Sequence, residues 1–163
     1  MFDPTTLVGF HTWLSLIAIV LGIPVTLALM RGGMAGPALT GAFLGLAFLT
    51  SATGYLFPFN GLKPSHVVGG IAIAVLAVAA YALYGAARAG VWRGIYAGTA
   101  VASLYLLVFV AVAQAFAKVP ALAAAAPTQS EPPFAIAQAI VLALFVWFGF
   151  VAVRSRPVTR LPA

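Results

Sequence analysis

The sequence predicts an all-α integral membrane protein, a bundle of five transmembrane helices. Of its 163 residues, 64% are hydrophobic and only 6% are charged, whereas soluble domains carry roughly 25% charged residues. Five apolar runs are each long enough to cross a bilayer, whose hydrocarbon core takes about 20 helical residues. Inside lipid only helices and closed barrels satisfy their own backbone hydrogen bonds, so each run is predicted to be a helix.

The five predicted helices belong to one transmembrane domain over residues 1–163 and are joined by links rich in Gly, Pro and Arg. The first run is predicted to be retained as a helix and not removed as a signal peptide. The residues before it include the acidic Asp3 and no basic residue, and the run is longer than the core of a signal peptide. The longest link, residues 118–133, is framed by prolines. The helices are expected near residues 7–30, 37–57, 66–87, 94–117 and 134–153.

The distribution of charge predicts the orientation. Lys and Arg collect on the cytoplasmic side of membrane proteins. One side of the predicted bundle holds Arg31, Arg88, Arg93, Arg154, Arg156 and Arg160, and the other holds Lys63, Lys118, Asp3 and Glu131. The arginine side is therefore expected in the cytoplasm, with the N-terminus outside and the C-terminus cytoplasmic. Because the basic residues flank apolar runs, the net charge of +6 indicates topology and does not predict a nucleic-acid partner.

The polar side chains predict a site in the outer half of the bundle. Polar groups in lipid usually face the bundle interior or a wet cavity. His11 on the first helix and His66 at the start of the third differ in depth by only about 5 Å at 1.5 Å per residue. Gln114 and Lys118 share a face of the fourth helix because they are one turn apart. Gln138 lies in the first turns of the fifth helix. We expect these residues around one pocket open to the outside.

The two histidines suggest a haem protein as the first hypothesis for function. Neutral imidazole is a good ligand for haem iron, so His11 and His66 would be the axial ligands of one haem b near the outer face. Such a haem would exchange electrons with quinol or with a redox partner protein. Gln114, Lys118 or Gln138 would contact a haem propionate or a quinone, and Lys118 suits the anionic propionate best.

Two alternatives come from other functional classes, and no catalytic residue is assigned in any of them. The first is a non-catalytic accessory subunit or partner-binding membrane protein, part of a larger complex, whose outer loops form the docking surface and whose histidines are structural. The second is an outer-face metal or small-molecule binder, in which His11, His66 and Glu131 supply two imidazoles and a carboxylate. Ion transport is disfavoured because no predicted span has an Asp, Glu, Lys or Arg in its middle.

Three phrases of the sequence resemble a group of small bacterial five-span integral-membrane proteins to which no activity is assigned. They are His11-Thr12-Trp13-Leu14-Ser15-Leu16, Thr53-Gly54-Tyr55-Leu56-Phe57-Pro58-Phe59 and Pro127-Thr128-Gln129-Ser130-Glu131-Pro132-Pro133-Phe134. The resemblance implies a multi-pass protein of the bacterial inner (plasma) membrane and transfers no functional residue. A multi-span helical bundle with two histidines on different helices is also similar, in its general plan only, to b-type membrane cytochromes.

Overall fold

The computed structural model describes residues 3–57, 64–88 and 90–155, and throughout these ranges the regular structure is helical, without strands. The helices are α1 (Leu7–Met30), α2 (Pro37–Gly54), α3 (Pro64–Ala80), α4 (Trp92–Lys118), α5 (Pro120–Ala125) and α6 (Pro132–Arg154). Five of these segments are long and apolar enough to cross a membrane. This confirms the predicted all-helical, five-span architecture and indicates a multi-pass membrane protein.

Some boundaries differ from the sequence prediction. α2 ends at Gly54 and not at residue 57, and α3 continues beyond Ala80 as a π-helical turn, Tyr81–Gly85. The link over residues 118–133 contains the unpredicted short helix α5, which starts at Pro120. Proline is well suited to a first helical position, and the alanines after it are strong helix formers. Lys63, Arg156 and Arg160, used for the orientation, lie outside the described residues.

Hydrogen bonds at both ends of α1 determine where this helix begins and ends. The Thr6 hydroxyl caps the start by accepting a hydrogen bond from the Gly9 amide at 3.1 Å, as N-cap residues do. At the other end the Gly33 amide donates to Ala28 at 2.9 Å and the Gly32 amide to Leu29 at 3.0 Å, which is a Schellman ending. Gly32 takes the positive φ of 72° that this ending requires and that glycine adopts without strain.

The five spans form a four-helix bundle with a fifth helix on its outside. α1, α2, α3 and α4 each pack against the next, α4 also packs against α1, and α6 lies against α4 and α1. Successive spans run antiparallel. The starts of α1, α3 and α6 therefore meet the ends of α2 and α4 at what we call the histidine end, and the opposite end is the arginine end. The largest fully buried side chains are Tyr96, Phe43, Val25, Val101 and Thr40.

Glycines mark both a close helix contact and an open one in the bundle. A Cβ placed on Gly22 of α1 would lie 2.7 Å from atoms of both Phe43 and Leu104, so α1 approaches α2 and α4 closely at this position. Gly41 and Gly45 form a GxxxG pattern, which favours close helix contact in membranes. In this protein they instead line an apolar groove of about 440 Å³ between α2 and α3, and a Cβ on Gly45 would meet nothing within 4 Å.

Candidate functional site

His11 is joined to the end of α2 by a hydrogen bond that sets its tautomer. Its Nδ1 lies 3.0 Å from Oγ1 of Thr53. The Thr53 hydroxyl also lies 2.7 Å from the Leu49 carbonyl oxygen and 3.2 Å from that of Thr50. A hydroxyl that donates its single proton to one of these carbonyls accepts the bond from His11 Nδ1–H. Neutral His11 therefore carries its lone pair on Nε2, the nitrogen available to a ligand or a proton.

The His11 ring lies against residues at and just beyond the end of α2. The half-buried imidazole meets the Phe57 ring edge-on, with 5.2 Å between the ring centroids. The imidazole also lies close to Gly54, where a Cβ would be in ordinary van der Waals contact with His11 Cε1 at 3.6 Å. The Lys118 ammonium group at the end of α4 interacts electrostatically with the same imidazole. His11 and Lys118, both predicted as site residues, thus belong to one corner of the bundle.

His66 lies in a different interface, between α2 and α3. The Tyr55 hydroxyl donates to the backbone carbonyl oxygen of His66 at 2.7 Å, and the two rings pair with 5.8 Å between centroids. A Cβ on Gly69 or Gly70 would contact the Tyr55 ring at 3.3 and 3.2 Å respectively, so the ring lies over the first turns of α3. The two histidines therefore meet the end of α2 from two sides and have different partners there.

Two glutamines at the histidine end connect α6 and the loop between α5 and α6 to α4. Gln138 of α6 donates from Nε2 to the Phe109 carbonyl oxygen at 3.1 Å, while its buried Oε1 has no hydrogen-bond partner. Gln129 of the loop donates to the Ala113 carbonyl oxygen at 2.8 Å. Gln114 is exposed, as is Lys118. Of the three polar residues predicted to contact a cofactor or quinone, only Gln138 is held by another helix.

The Glu131 carboxylate forms hydrogen bonds within the loop between α5 and α6. It accepts hydrogen bonds from the Thr128 hydroxyl at 2.8 Å, from the Thr128 amide at 3.1 Å and from the Ser130 amide at 3.1 Å. Partial desolvation acts to raise the pKa of Glu131, but these hydrogen bonds outweigh it and hold the pKa below its ordinary value of 4.5. At neutral pH the carboxylate is therefore ionised and engaged within its own turn.

The structure does not gather the three residues predicted to bind a metal ion. Within residues 3–57, 64–88 and 90–155, no group of three or more His, Asp or Glu side chains is placed to hold one. His11 and His66 lie in separate helix interfaces, and Glu131 turns to the Thr128 and Ser130 donors. The physical reason is that a carboxylate beside several local N–H and O–H donors satisfies them first.

Sequence reasoning missed a second polar site, at the arginine end. A cavity of about 110 Å³ lies where α1 ends and α4 begins. Its lining includes Gly32, Gly33, Met34, Arg88, Arg93 and Tyr96. The arginines had a sufficient explanation as topology signals, so their convergence with Tyr96 could not be inferred from their positions alone. One signal was present in the sequence: no Asp or Glu falls near them.

Comparison with models of known protein families, with curated proteins and with solved structures finds no match.

Proposed function

We propose that this protein is a non-catalytic accessory or partner-binding subunit of the bacterial inner membrane, with its histidine end outside. The observation that carries the proposal is that the histidines belong to separate helix interfaces. The His11 imidazole bonds to Thr53 between α1 and α2, whereas the His66 ring pairs with the Tyr55 ring and its backbone carbonyl accepts from the Tyr55 hydroxyl between α2 and α3. Contacts of this kind hold helices together in a membrane, where interhelical hydrogen bonds add to packing. The excess of arginines at the other end supports the orientation.

The outer link between α4 and α6 is the surface proposed to dock the partner. It consists of α5 and of residues 126–131, and Gln129 and Glu131 hold it to α4 and to itself through the hydrogen bonds described above. Its side chains Pro120, Pro127 and Ser130 remain exposed. A surface that is ordered before binding loses little conformational entropy when a partner docks. An ordered, exposed loop with several prolines meets that requirement.

Single-cysteine variants test both the docking surface and the orientation, because the natural chain contains no cysteine. Ser130→Cys places a thiol in the outer loop, and Val91→Cys places one on a residue that is 71% exposed at the arginine end. We expect a membrane-impermeant maleimide to label intact cells only at position 130. We expect a thiol-linked photocrosslinker there, and not at position 91, to give one discrete adduct in native membranes.

The loop itself provides the control for the adduct. Gln129→Ala removes the bond to α4 and should reduce the adduct formed from position 130, whereas Gln114→Ala, on an exposed side chain of the same end, should leave it unchanged. Labelling of position 91 in intact cells would show that the orientation is opposite to the one proposed. Adducts that are equally abundant from both positions, or insensitive to Gln129→Ala, would refute the loop as the docking surface.

A second candidate is a redox subunit that binds one haem b at the histidine end, with His11 and His66 as axial ligands. The observation in its favour is that Thr53 holds the His11 Nδ1–H and so presents Nε2, which is the usual arrangement of a ligating histidine and its orienting partner. Lys118, which interacts electrostatically with His11, is placed to pair with a propionate. Bound haem would supply one-electron transfer to quinol or to a carrier protein.

Absorption spectra separate the two candidates. If haem is bound, protein expressed with ample haem should show a Soret band and α and β bands that sharpen on reduction with dithionite. His11→Ala should abolish these bands, and His66→Ala should abolish them or convert a low-spin spectrum to a high-spin one. Thr53→Val, which removes only the orienting acceptor, should weaken haem binding by about 10–100-fold. A colourless preparation would exclude the haem candidate and leave the accessory one standing.

A further inference from the structure

The cavity at the arginine end holds polar groups that lack partners inside the protein. The side chain of Tyr96 is only 1% exposed. Its hydroxyl lies beside the Thr40 hydroxyl but makes no hydrogen bond of good geometry within the part of the chain that the structure describes. The nearby Thr40 hydroxyl donates instead to the Ala35 carbonyl oxygen at 3.4 Å. Nε of Arg88 is also buried without a partner, although its Nη1 contacts the Met34 sulfur. Buried polar groups are normally satisfied, so these donors point to a missing acceptor.

The two arginines at this cavity also have no carboxylate to pair with. Arg88 and Arg93 are both partly buried, and a charge removed from water is costly unless it is paired. The whole chain has only two acidic residues. Asp3 precedes α1 and Glu131 precedes α6, so both lie at the opposite, histidine end. No acidic side chain of the protein therefore lies at this end to neutralise the arginine pair.

Both arginines occupy backbone positions that are unfavourable for an arginine. Arg93 lies in the first turn of α4, where the helix dipole disfavours a cation and favours an anion. Arg88 and the residue before it, Ala87, take positive φ angles of 58° and 46°, a left-handed conformation that residues other than glycine rarely adopt. Strain of this kind is typically retained where it positions a functional side chain.

We propose that this cavity binds a phosphate group. Arg88 and Arg93 supply the positive charge, the Tyr96 hydroxyl donates a further hydrogen bond, and the start of α4 adds its dipole. Guanidinium groups suit phosphate because their N–H donors match its oxygens. The volume of about 110 Å³ is several times what one water molecule needs, so the cavity has room for a tetrahedral oxyanion. The phosphate could belong to an anionic lipid headgroup or be free.

Thermal unfolding of the purified protein in a neutral detergent tests the proposal and separates the two sources. One arm titrates inorganic phosphate against sodium chloride of equal ionic strength. The other titrates dihexanoyl phosphatidylglycerol against dihexanoyl phosphatidylcholine. We expect a saturable rise of the unfolding temperature: with phosphate if the free ion is bound, and with phosphatidylglycerol alone if a lipid headgroup is required. No saturable rise in either arm would overturn the proposal.

Substitutions locate the binding. Arg88→Gln and Arg93→Gln should each weaken it about tenfold or more, since each removes hydrogen bonds to a charged group. Arg31→Gln is the matched control, because Arg31 is an exposed arginine of the same end outside the cavity lining. An equal loss of affinity in Arg31→Gln would show diffuse charge attraction and refute the site.

Tyr96→Phe keeps the test valid even if an arginine variant fails to fold. It removes only a hydroxyl whose one neighbouring polar side chain is Thr40, so in phosphate-free buffer its unfolding temperature should stay close to that of the natural protein. Its affinity for the stabilising phosphate compound should nevertheless fall several-fold. Unchanged affinity in Tyr96→Phe would remove the tyrosine from the site, and a lower unfolding temperature without phosphate would show that its hydroxyl has a structural partner.

Discussion

Replacing Gly22 by valine is expected to destabilise the bundle severely. A Cβ at this position would lie 2.7 Å from Phe43 Cε2 and 2.7 Å from Leu104 Cδ1. These neighbours are 0% and 3% exposed and have little space into which to move. Overpacking of a dense core costs about 1–3 kcal/mol, and the branched valine adds two methyl groups beyond the Cβ. The unfolding temperature of the purified protein in detergent measures the effect.

Gly45→Val is the matched control for this substitution. Gly45 is also a glycine inside a transmembrane helix, but a Cβ there would meet nothing within 4 Å, because the residue lines the open α2–α3 groove. Its unfolding temperature should stay close to that of the natural protein. If Gly45→Val is as damaging as Gly22→Val, the groove is filled by close packing and the arrangement of α2 and α3 described above is wrong.

Phe43→Ala is expected to have the second large effect, by removing the largest apolar side chain of the buried core. In soluble proteins Phe→Ala in a core costs about 3–5 kcal/mol. Part of that cost is the lost transfer from water, and this part is small in a membrane because lipid is as apolar as the core. The lost packing contacts and the resulting cavity remain, so a clear fall in unfolding temperature is still expected.

Phe48→Ala is the control that distinguishes the loss of internal packing contacts from the loss of hydrophobic side-chain atoms. Phe48 belongs to the same helix and is 48% exposed, beside the α2–α3 groove. Its truncation removes the same apolar atoms but few internal contacts, so it should change the unfolding temperature much less than Phe43→Ala. Equal effects would mean that hydrophobic content and not internal packing determines the stability of this bundle.

The candidate site was predictable in its position along the membrane but not in its pairings. The clustering of polar residues predicted His11 and Lys118 at the same end of the bundle, and His11 lies near the start of α1 while Lys118 is the last residue of α4. Residue spacing did not distinguish a shared pocket from two separate interfaces, since that depends on which neighbour each helix face meets. The pairs His11 with Thr53 and His66 with Tyr55 follow only from the order of the helices around the bundle.

The sequence by itself determined the number of spans, their approximate limits and the gathering of charge at one end. It could do so because a bilayer sets the length of a helix and excludes charge from its core. Tertiary structure alone decided the central position of α4, the close approach at Gly22 and the cavity beside Tyr96. The physical reason is that these spans are apolar on nearly all faces, as in α6, where Ala152 is the one buried residue of the helix. When lipid and neighbouring helices are equally apolar, hydrophobic periodicity no longer indicates which face turns inward.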